Sequence, residues 1–289
     1  MRVAAFVIVT TSDLPEAYHL ATFLESRGQR LALVNIVARP LSNQLHVLAR
    51  LRRNRGTRYV ADLMLARAMN ALHRRRGQHG AGAFPEVDAR LVSHIRARHS
   101  HLDCGDPHAS DVLGFVGNFA PDYVLLAGCP ILQPSFYGLA RRAALNRHLG
   151  VLPDFRGSDC AIWAFALQQP ERAGYSIHVV SERVDAGDVV LCRPVPVQDD
   201  PCLGDYIRRV ARAGSDGFVE VLDRLIGGAP LIAESQEWRG RYFPPAPWST
   251  RRRAEQNYAR LYQHAREASR APSERLRSFA HTTPGSTAA

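Results

Sequence analysis

Near-continuous apolar runs alternate with amphipathic stretches from the start of the chain. Residues 2–9 and 31–38 are rich in apolar and β-branched residues, which is typical of buried strands. The segment 14–27 between them predicts a helix that Asp13 caps and Gly28 ends. A strand, a helix and a second strand with short connections predict a parallel sheet covered on both faces.

The same alternation continues through the middle of the chain. Further strands are predicted over 121–132, 143–146, 174–180 and 188–197. Further helices are predicted over 110–119, 135–142, 159–168 and 203–226, and a loop over 147–158. The pattern predicts an α/β fold with a Rossmann-like, mostly parallel sheet and helices on both faces.

Two parts of the chain interrupt this pattern. Residues 45–76 predict an Arg-rich helical insertion, followed by a loop over 77–88. From residue 229 the chain is irregular, with an Arg-rich helix predicted over 250–270. We therefore expect one domain over 1–228, a small C-terminal appendage over 229–270, and a tail of disordered composition over 271–289.

The formal net charge of +10 comes from 37 basic residues that are all arginine. Such a bias is typical of GC-rich coding, so it weakens the case for a nucleic-acid partner, and none is expected. Between Arg50 and Arg98 there are twelve arginines against three acidic residues. The simplest interpretation is a solvated helical face; the alternatives are a rim for an anionic substrate and a subunit contact.

Several classes of protein are disfavoured by missing patterns. The five cysteines are scattered, which argues for reduced thiols and against a metal site. No apolar run reaches about 18 residues, and the apolar start has no small-x-small cleavage site, so we expect a cytoplasmic protein with no membrane partner. The first strand–helix turn, VTTSDLP, carries neither glycine-rich phosphate motif, which argues against a dinucleotide or nucleoside-triphosphate site there.

Three polar residues stand where a parallel sheet exposes side chains to ligands. Asn146 and His148 are two residues apart at a strand end, so both point to one face. Asp185 lies in the turn V-D-A-G-D between two strands. An amide, an imidazole and a carboxylate that converge at the carboxyl ends of strands suit an addition–elimination at a carbonyl carbon.

The block over 124–192 resembles the N10-formyltetrahydrofolate-dependent formyltransferases, which include the glycinamide ribonucleotide, methionyl-tRNA and sugar N-formyltransferases. The resemblance covers about residues 110–245, with weaker likeness over 1–40. Five motifs carry it, in the family's order and spacing: LAGCPIL at 126–132, N-R-H at 146–148, L-P-D-F-R-G at 152–157, G-Y-S-I-H at 174–178 and V-D-A-G-D at 184–188.

The resemblance implies a role for each motif residue. Asn146 would hold the formyl oxygen, His148 would stabilise charge and shuttle a proton, and Asp185 would raise the pKa of His148 and place the proton relay. The acceptor amine attacks directly, without a covalent enzyme intermediate or a metal. The folate donor would lie against Gly128, Cys129, Pro130, Ile131, Leu132 and Val184. His178 is predicted to be a buried histidine with satisfied hydrogen bonds rather than a catalytic one.

The acceptor is less well defined, because the sequence departs from the family around it. Many members read His-Pro-Ser where this chain has His148-Leu149-Gly150. That loop abuts the acceptor, so substrate contacts are predicted for Leu149, Gly150, Pro153 and Arg156. The first turn lacks the phosphate loop of the glycinamide ribonucleotide enzymes. The roughly sixty residues after 229 do not alternate like the C-terminal barrel of methionyl-tRNA formyltransferases.

The resemblance therefore implies transfer of a formyl group to an amine or hydroxylamine of a small metabolite, with a nucleotide-linked amino sugar as the first expectation. An amino-acid-derived natural-product or siderophore precursor is the alternative acceptor. A hydrolase that uses water, and a non-catalytic basic binding protein on the same scaffold, are the alternative functions. A homodimer is compatible with the sequence.

Overall fold

A computed structural model describes residues 3–37, 41–75, 87–237 and 240–263. Most of the loop predicted over 77–88, the end of the helix predicted over 250–270 and the tail predicted over 271–289 lie outside the described residues.

A seven-stranded sheet forms the centre of the molecule. The described part of the chain has nine strands, seven of which form this sheet: β1 (Ala5–Thr11), β2 (Arg30–Ile36), β3 (Ser100–Cys104), β4 (Tyr123–Ala127), β5 (Ala143–His148), β6 (Phe155–Gly157), β7 (Gly174–Val179), β8 (Val189–Pro194) and β9 (Arg241–Phe243). The sheet order is β3-β2-β1-β4-β5-β7-β8, and β6 pairs separately with β9. The first five strands of that order are parallel, and β7 and β8 are antiparallel to their neighbours.

Helices cover both faces of this sheet. They are α1 (Pro15–Ser26), α2 (Leu41–Arg55), α3 (Thr57–Arg75), α4 (Ala89–Arg98), α5 (Ser110–Phe119), α6 (Pro134–Tyr137), α7 (Cys160–Ala166), α8 (Leu203–Ile226) and α9 (248–263). In β1, Phe6 and Ile8 pack into the cluster with α1 and α8, whereas Val7 and Val9 pack into the cluster with α5. Burial on both faces explains the unbroken apolar run and confirms the α/β prediction. In the part of the chain that is described, no helix is long and apolar enough to cross a bilayer.

Two local predictions are wrong, and one strand was not predicted. Asp13 does not cap α1: Leu14 holds the cap position, and the Asp13 carboxylate instead accepts hydrogen bonds from Arg96 at 2.9 and 3.0 Å. The predicted loop over 147–158 contains the end of β5 and all of β6. Edge strand β3, with the polar sequence SHLDC, was not predicted, because its pairing with β2 is decided by a distant part of the chain.

The segment after α8 packs closely on the main domain. Strand β9 pairs with β6, and Phe243 stacks on Phe155 with ring centroids 4.6 Å apart. The Trp163 indole donates a hydrogen bond to the Pro244 carbonyl at 2.8 Å. These residues share one buried apolar cluster, so the C-terminal segment contributes to the core beside β6.

The Arg-rich segment forms two helices, α2 and α3. Gly56 separates α2 from α3 and has a φ of +87°, a left-handed conformation that glycine adopts without steric cost. Tyr59 donates a hydrogen bond to the Pro245 carbonyl, and Asp62 accepts one from the Ser249 amide at 3.2 Å. These bonds attach the helix pair to the C-terminal segment.

Candidate functional site

Strand β5 carries two of the predicted site residues to its carboxyl end. Side chains alternate along a strand, so Asn146 and His148 share one face and Arg147 points to the other. His148 is buried, and its Nε2 donates a hydrogen bond to the Phe155 carbonyl at 2.7 Å. The strand therefore places the amide and the imidazole side by side, with the imidazole fixed in orientation.

Asp185 connects the side chains of this face. It lies in the loop between β7 and β8 and has a φ of +51°. The Gly157 amide donates to its Oδ2 at 2.9 Å, and His148 Nδ1 lies 3.4 Å from the same oxygen. Its other oxygen, Oδ1, accepts from Asn146 Nδ2 at 3.4 Å. One carboxylate thus contacts both catalytic candidates of β5.

His178 is a fourth member of this group. Its side chain is 2% exposed, in agreement with the predicted buried histidine. Its Nδ1 donates to the Val179 carbonyl at 2.8 Å, and its Nε2 lies 3.0 Å from Asn146 Nδ2 and 3.3 Å from Asp185 Oδ1. Strand β7 is antiparallel to β5, with His178 opposite Asn146. Only that pairing register, which local sequence does not specify, would have placed His178 in the site.

Burial and charge set the protonation of Asp185 and His148 in opposite ways. Burial acts to raise the pKa of Asp185, but the charge that His148 carries when it is protonated, a hydrogen bond with His178 and the Gly157 amide together lower it to about 2. Burial lowers the pKa of His148, and the nearby Asp185 only partly opposes this. Asp185 acts to raise the pKa of His148, as predicted, but the lowering of this pKa by burial is larger. The site therefore holds a carboxylate beside a neutral imidazole.

A cavity of about 250 Å³ opens beside these residues. Its wall includes Asn146, His148 and Asp185 together with all six residues predicted to hold the folate donor: Gly128, Cys129, Pro130, Ile131, Leu132 and Val184. Tyr242, from β9, also lines it and was not predicted. The structure thus brings the predicted catalytic and donor-binding residues to one cavity, and their chemical roles remain predictions.

The backbone conformation of Gly128 shapes this wall. Its φ is +71°, and a Cβ there would lie 2.4 Å from the end of the Leu14 side chain. A larger residue would strain the backbone at this position and displace the end of the Leu14 side chain. This explains why a glycine stands at the start of the predicted donor-binding loop.

The four predicted substrate-loop residues are not in the cavity wall. Leu149 packs on the apolar cluster around Phe155. A Cβ at Gly150 would lie 2.6 Å from His148 Nε2, and Arg156 Nη2 donates to the Gly240 carbonyl at 2.6 Å. Pro153 also packs against Gly240, because a Cβ on Gly240 would meet the Pro153 carbonyl. Of these residues, Gly150 packs directly against His148. The contact of all four with an acceptor stays a prediction.

A larger cavity, of about 470 Å³, lies between α1 and α8 on the opposite face of β5. Arg147 and Glu16 border it as a buried ion pair, and Arg147 Nη1 also donates to the Ala211 carbonyl at 2.6 Å. Arg147 and Glu16 are therefore paired with each other. We therefore take the smaller cavity, where an amide, an imidazole and a carboxylate converge, as the candidate active site. Among the described residues, no group of three or more His, Cys, Asp and Glu side chains could hold a metal ion.

Residues 89–222 match the family model described as formyl transferase. The chain is 30% identical over 152 residues to a methionyl-tRNA formyltransferase of Chlorobium chlorochromatii, covering 52% of this chain and 47% of that protein. It is 28% identical over 149 residues to a GDP-perosamine N-formyltransferase of Brucella melitensis, covering 51% of this chain and 57% of that protein. The chain therefore spans about half the length of the curated relatives it matches.

The fold also has a counterpart among solved structures. A phosphoribosylglycinamide formyltransferase from Anaplasma phagocytophilum superimposes with a TM-score of 0.54, covering 85% of this chain and 100% of that one. The sequence identity is 13%, so this likeness concerns the fold. It confirms the predicted arrangement of a mostly parallel sheet with helices on both faces.

Proposed function

We propose that this chain, of which residues 89–222 match the formyl transferase family model, moves a formyl group from N10-formyltetrahydrofolate to the amine of a small metabolite. The observation that carries the proposal is the contact of one buried carboxylate, Asp185, with Asn146 and His148 at an open cavity. This is the set of donors and proton acceptors that an addition–elimination at a formyl carbon needs.

The cavity wall is compatible with the folate donor. Leu126, Leu132 and Val184 give it apolar surface, and Ile131 stands 69% exposed at its rim. The loop over 128–132 adds main-chain polar groups next to this surface. Apolar walls with a few polar groups are typical of sites for flat heterocycles. The donor supplies the electrophilic formyl carbon, and the protein supplies the groups around it.

Asn146 and His148 act on the charge and the proton of the reaction. As the acceptor nitrogen bonds to the formyl carbon, the carbonyl electron pair moves to oxygen. Asn146 donates an N–H to this oxygen, replacing its long, 3.4 Å hydrogen bond to Asp185. The neutral His148 takes the amine proton on Nδ1, where Asp185 stabilises the resulting cation. The proton then passes to N10 as the bond from N10 to the formyl carbon breaks.

The surroundings of Tyr242 favour an acceptor that carries phosphate. Tyr242 is 46% exposed and lines the cavity, so part of its side chain is accessible to a ligand. Burial raises the pKa of its phenol, and the charges of Arg50 and Arg55 on α2 oppose this, so both guanidinium groups lie within electrostatic reach. An aromatic ring within electrostatic reach of two guanidinium groups suits a base and its phosphates. We therefore propose a nucleotide-linked amino sugar as the acceptor.

Release of tetrahydrofolate tests this function. The purified chain is incubated with N10-formyltetrahydrofolate and a nucleotide-linked amino sugar, a free amino sugar, an amino-acid-derived amine, a hydroxylamine or no amine. We expect turnover that depends on the amine, and formate release without amine would indicate a hydrolase instead. A folded preparation that binds a folate analogue but turns over no amine would contradict the proposal.

Variants of arginines on the helix pair α2 and α3 test whether the acceptor carries phosphate. The double variant Arg50→Gln/Arg55→Gln should raise KM for nucleotide-linked sugars roughly tenfold while leaving the KM for N10-formyltetrahydrofolate unchanged. Arg67→Gln, an exposed position on α3, is the matched control. An unchanged acceptor KM in the double variant would show that Arg50 and Arg55 do not recognise the phosphate of the acceptor.

A further inference from the structure

The segment that follows α8 returns to the loop that carries Asp185. Glu234 and Val189 exchange two backbone hydrogen bonds of 2.8 Å, which fix this segment at the start of β8. Two residues later, Gln236 reaches the loop between β7 and β8. A part of the chain beyond the matched family region, 89–222, is therefore in direct contact with the candidate active site.

The Gln236 side chain contacts the backbone on both sides of Ala186. Its Nε2 donates to the Asp185 carbonyl at 3.2 Å and also to the Gly187 carbonyl. A primary amide nitrogen has two hydrogens, one for each carbonyl. A carboxylate of the same shape has none, so the pairing is specific for glutamine over glutamate.

The loop needs support of this kind because its backbone is constrained. Asp185 has a φ of +51°, which costs a non-glycine residue roughly 1 kcal/mol or more. Gly187 packs so closely that a Cβ would lie 1.9 Å from the Val179 carbonyl. The carboxylate itself is held by the Gly157 amide at 2.9 Å. Val179 and Gly157 therefore fix two points of the loop, and Gln236 fixes the carbonyls between them.

We propose that Gln236 is a positioning residue, which holds the Asp185 turn so that its carboxylate faces His148 and Asn146. The chemistry assigned to Asp185 rests on the proposed function, but the placement of its carboxylate does not. The C-terminal segment is on this proposal a working part of the active site, in addition to its place in the core.

The matched test compares Gln236→Glu with Ser235→Ala. The first substitution keeps the shape of the side chain but turns a carboxylate toward two carbonyl oxygens, whereas Ser235 is the exposed neighbour and serves as control. Gln236→Ala is the second variant, which removes the side chain without repulsion. Thermal unfolding and circular dichroism verify that each variant is folded.

The first measurement is hydrogen exchange of the Gly157 amide, which reports on the position of the Asp185 carboxylate without any substrate. We expect this amide to exchange roughly ten times faster in Gln236→Glu than in the wild type or Ser235→Ala, because its acceptor moves away. Amides of β1, far from the loop, should keep their protection. Equal exchange of the Gly157 amide in all variants would overturn the proposal.

The second measurement uses catalysis. With the best amine of the panel, Gln236→Glu should lower kcat roughly ten- to a hundredfold and leave the acceptor KM near its original value. Gln236→Ala should show a smaller loss of kcat. If no amine turns over, the proposed function fails, while the exchange of the Gly157 amide still decides the role of Gln236. An unchanged kcat with normal folding would limit Gln236 to a structural role and overturn the proposal.

Discussion

The two faces of strand β5 carry polar side chains in different states. On one face Arg147 is buried in an ion pair with Glu16 and also donates to the Ala211 carbonyl, so its charge is paired. On the other face Asn146 and His148 meet Asp185 at 3.4 Å, longer than an ordinary hydrogen bond, beside an open cavity. The difference indicates which polar residues serve stability and which remain available for chemistry, although all three are adjacent in sequence.

The largest expected effect is on the Arg147 face. Arg147→Ala leaves the Glu16 carboxylate buried without its partner, so we expect a loss of about 3–5 kcal/mol in the free energy of unfolding. Urea unfolding monitored by circular dichroism measures it. In the double variant Glu16→Met/Arg147→Met, much of the loss should be recovered, because apolar side chains replace both charges. A stable Arg147→Ala variant would show that the two faces do not differ in this way.

The next largest effect is expected on the cavity face of β5, where the turnover rate should change. Asn146→Ala removes the N–H assigned to the formyl oxygen, so kcat should fall roughly 10²–10³-fold. The free energy of unfolding should fall by about 1–3 kcal/mol, because the buried His178 Nε2 loses the Asn146 N–H that lies 3.0 Å from it. Asn118→Ala, an exposed position on α5, is the control for activity and stability. The comparison of the two faces would be wrong if Asn146→Ala lowered the free energy of unfolding by more than it raised the activation free energy calculated from kcat.

A smaller effect, on stability against pH, is expected at Asp185. Its pKa is lowered from 3.8 to about 2 in the folded chain, so the carboxylate stabilises the fold by about 2 kcal/mol above pH ~4. This stabilisation is lost as the pH falls from about 4 to about 2, where the folded carboxylate takes up its proton. Asparagine tolerates the φ of +51°, so Asp185→Asn tests the charge with little backbone strain.

The difference in unfolding free energy between wild type and Asp185→Asn should therefore shrink as the pH is lowered through this window. Asp188→Asn, whose side chain is exposed, should show no such trend. A difference that stays constant with pH would mean that the neighbouring histidines do not stabilise the Asp185 carboxylate.

The parts of the fold that the sequence predicts are those with a strong local signal. Helix α8 has one continuous apolar face and was predicted with its observed bounds, Leu203–Ile226. Strand β1 is buried on both faces and was predicted over 2–9, whereas it spans Ala5–Thr11. Strands β3 and β6 are short or polar and exist because β2 and β9 pair with them. Neither partner lies nearby in sequence, so local pattern carries no information about them.

The same distinction holds within the site. Asn146, His148 and Asp185 stand in motifs, and motif spacing predicted that they meet. Gln236 and Tyr242 come to the loop and the cavity through the packing of the C-terminal segment, and His178 comes beside Asn146 through the register of β7 on β5. Predicting these contacts requires the tertiary arrangement. The misassigned cap at Asp13 has a similar cause, since Arg96 on α4 competes for its carboxylate.

The smallest expected effect is a change of acceptor KM in variants of Tyr242, which is half exposed at the rim of the cavity. If the ring stacks on the base of the acceptor, Tyr242→Ala should raise the KM of a nucleotide-linked sugar roughly five- to tenfold, about 1 kcal/mol, and Tyr242→Phe should keep it. The KM for N10-formyltetrahydrofolate should stay the same in both variants. Equal KM changes for both substrates would place the ring against the donor, and a loss in Tyr242→Phe as large as in Tyr242→Ala would assign the contact to the hydroxyl instead of the aromatic face.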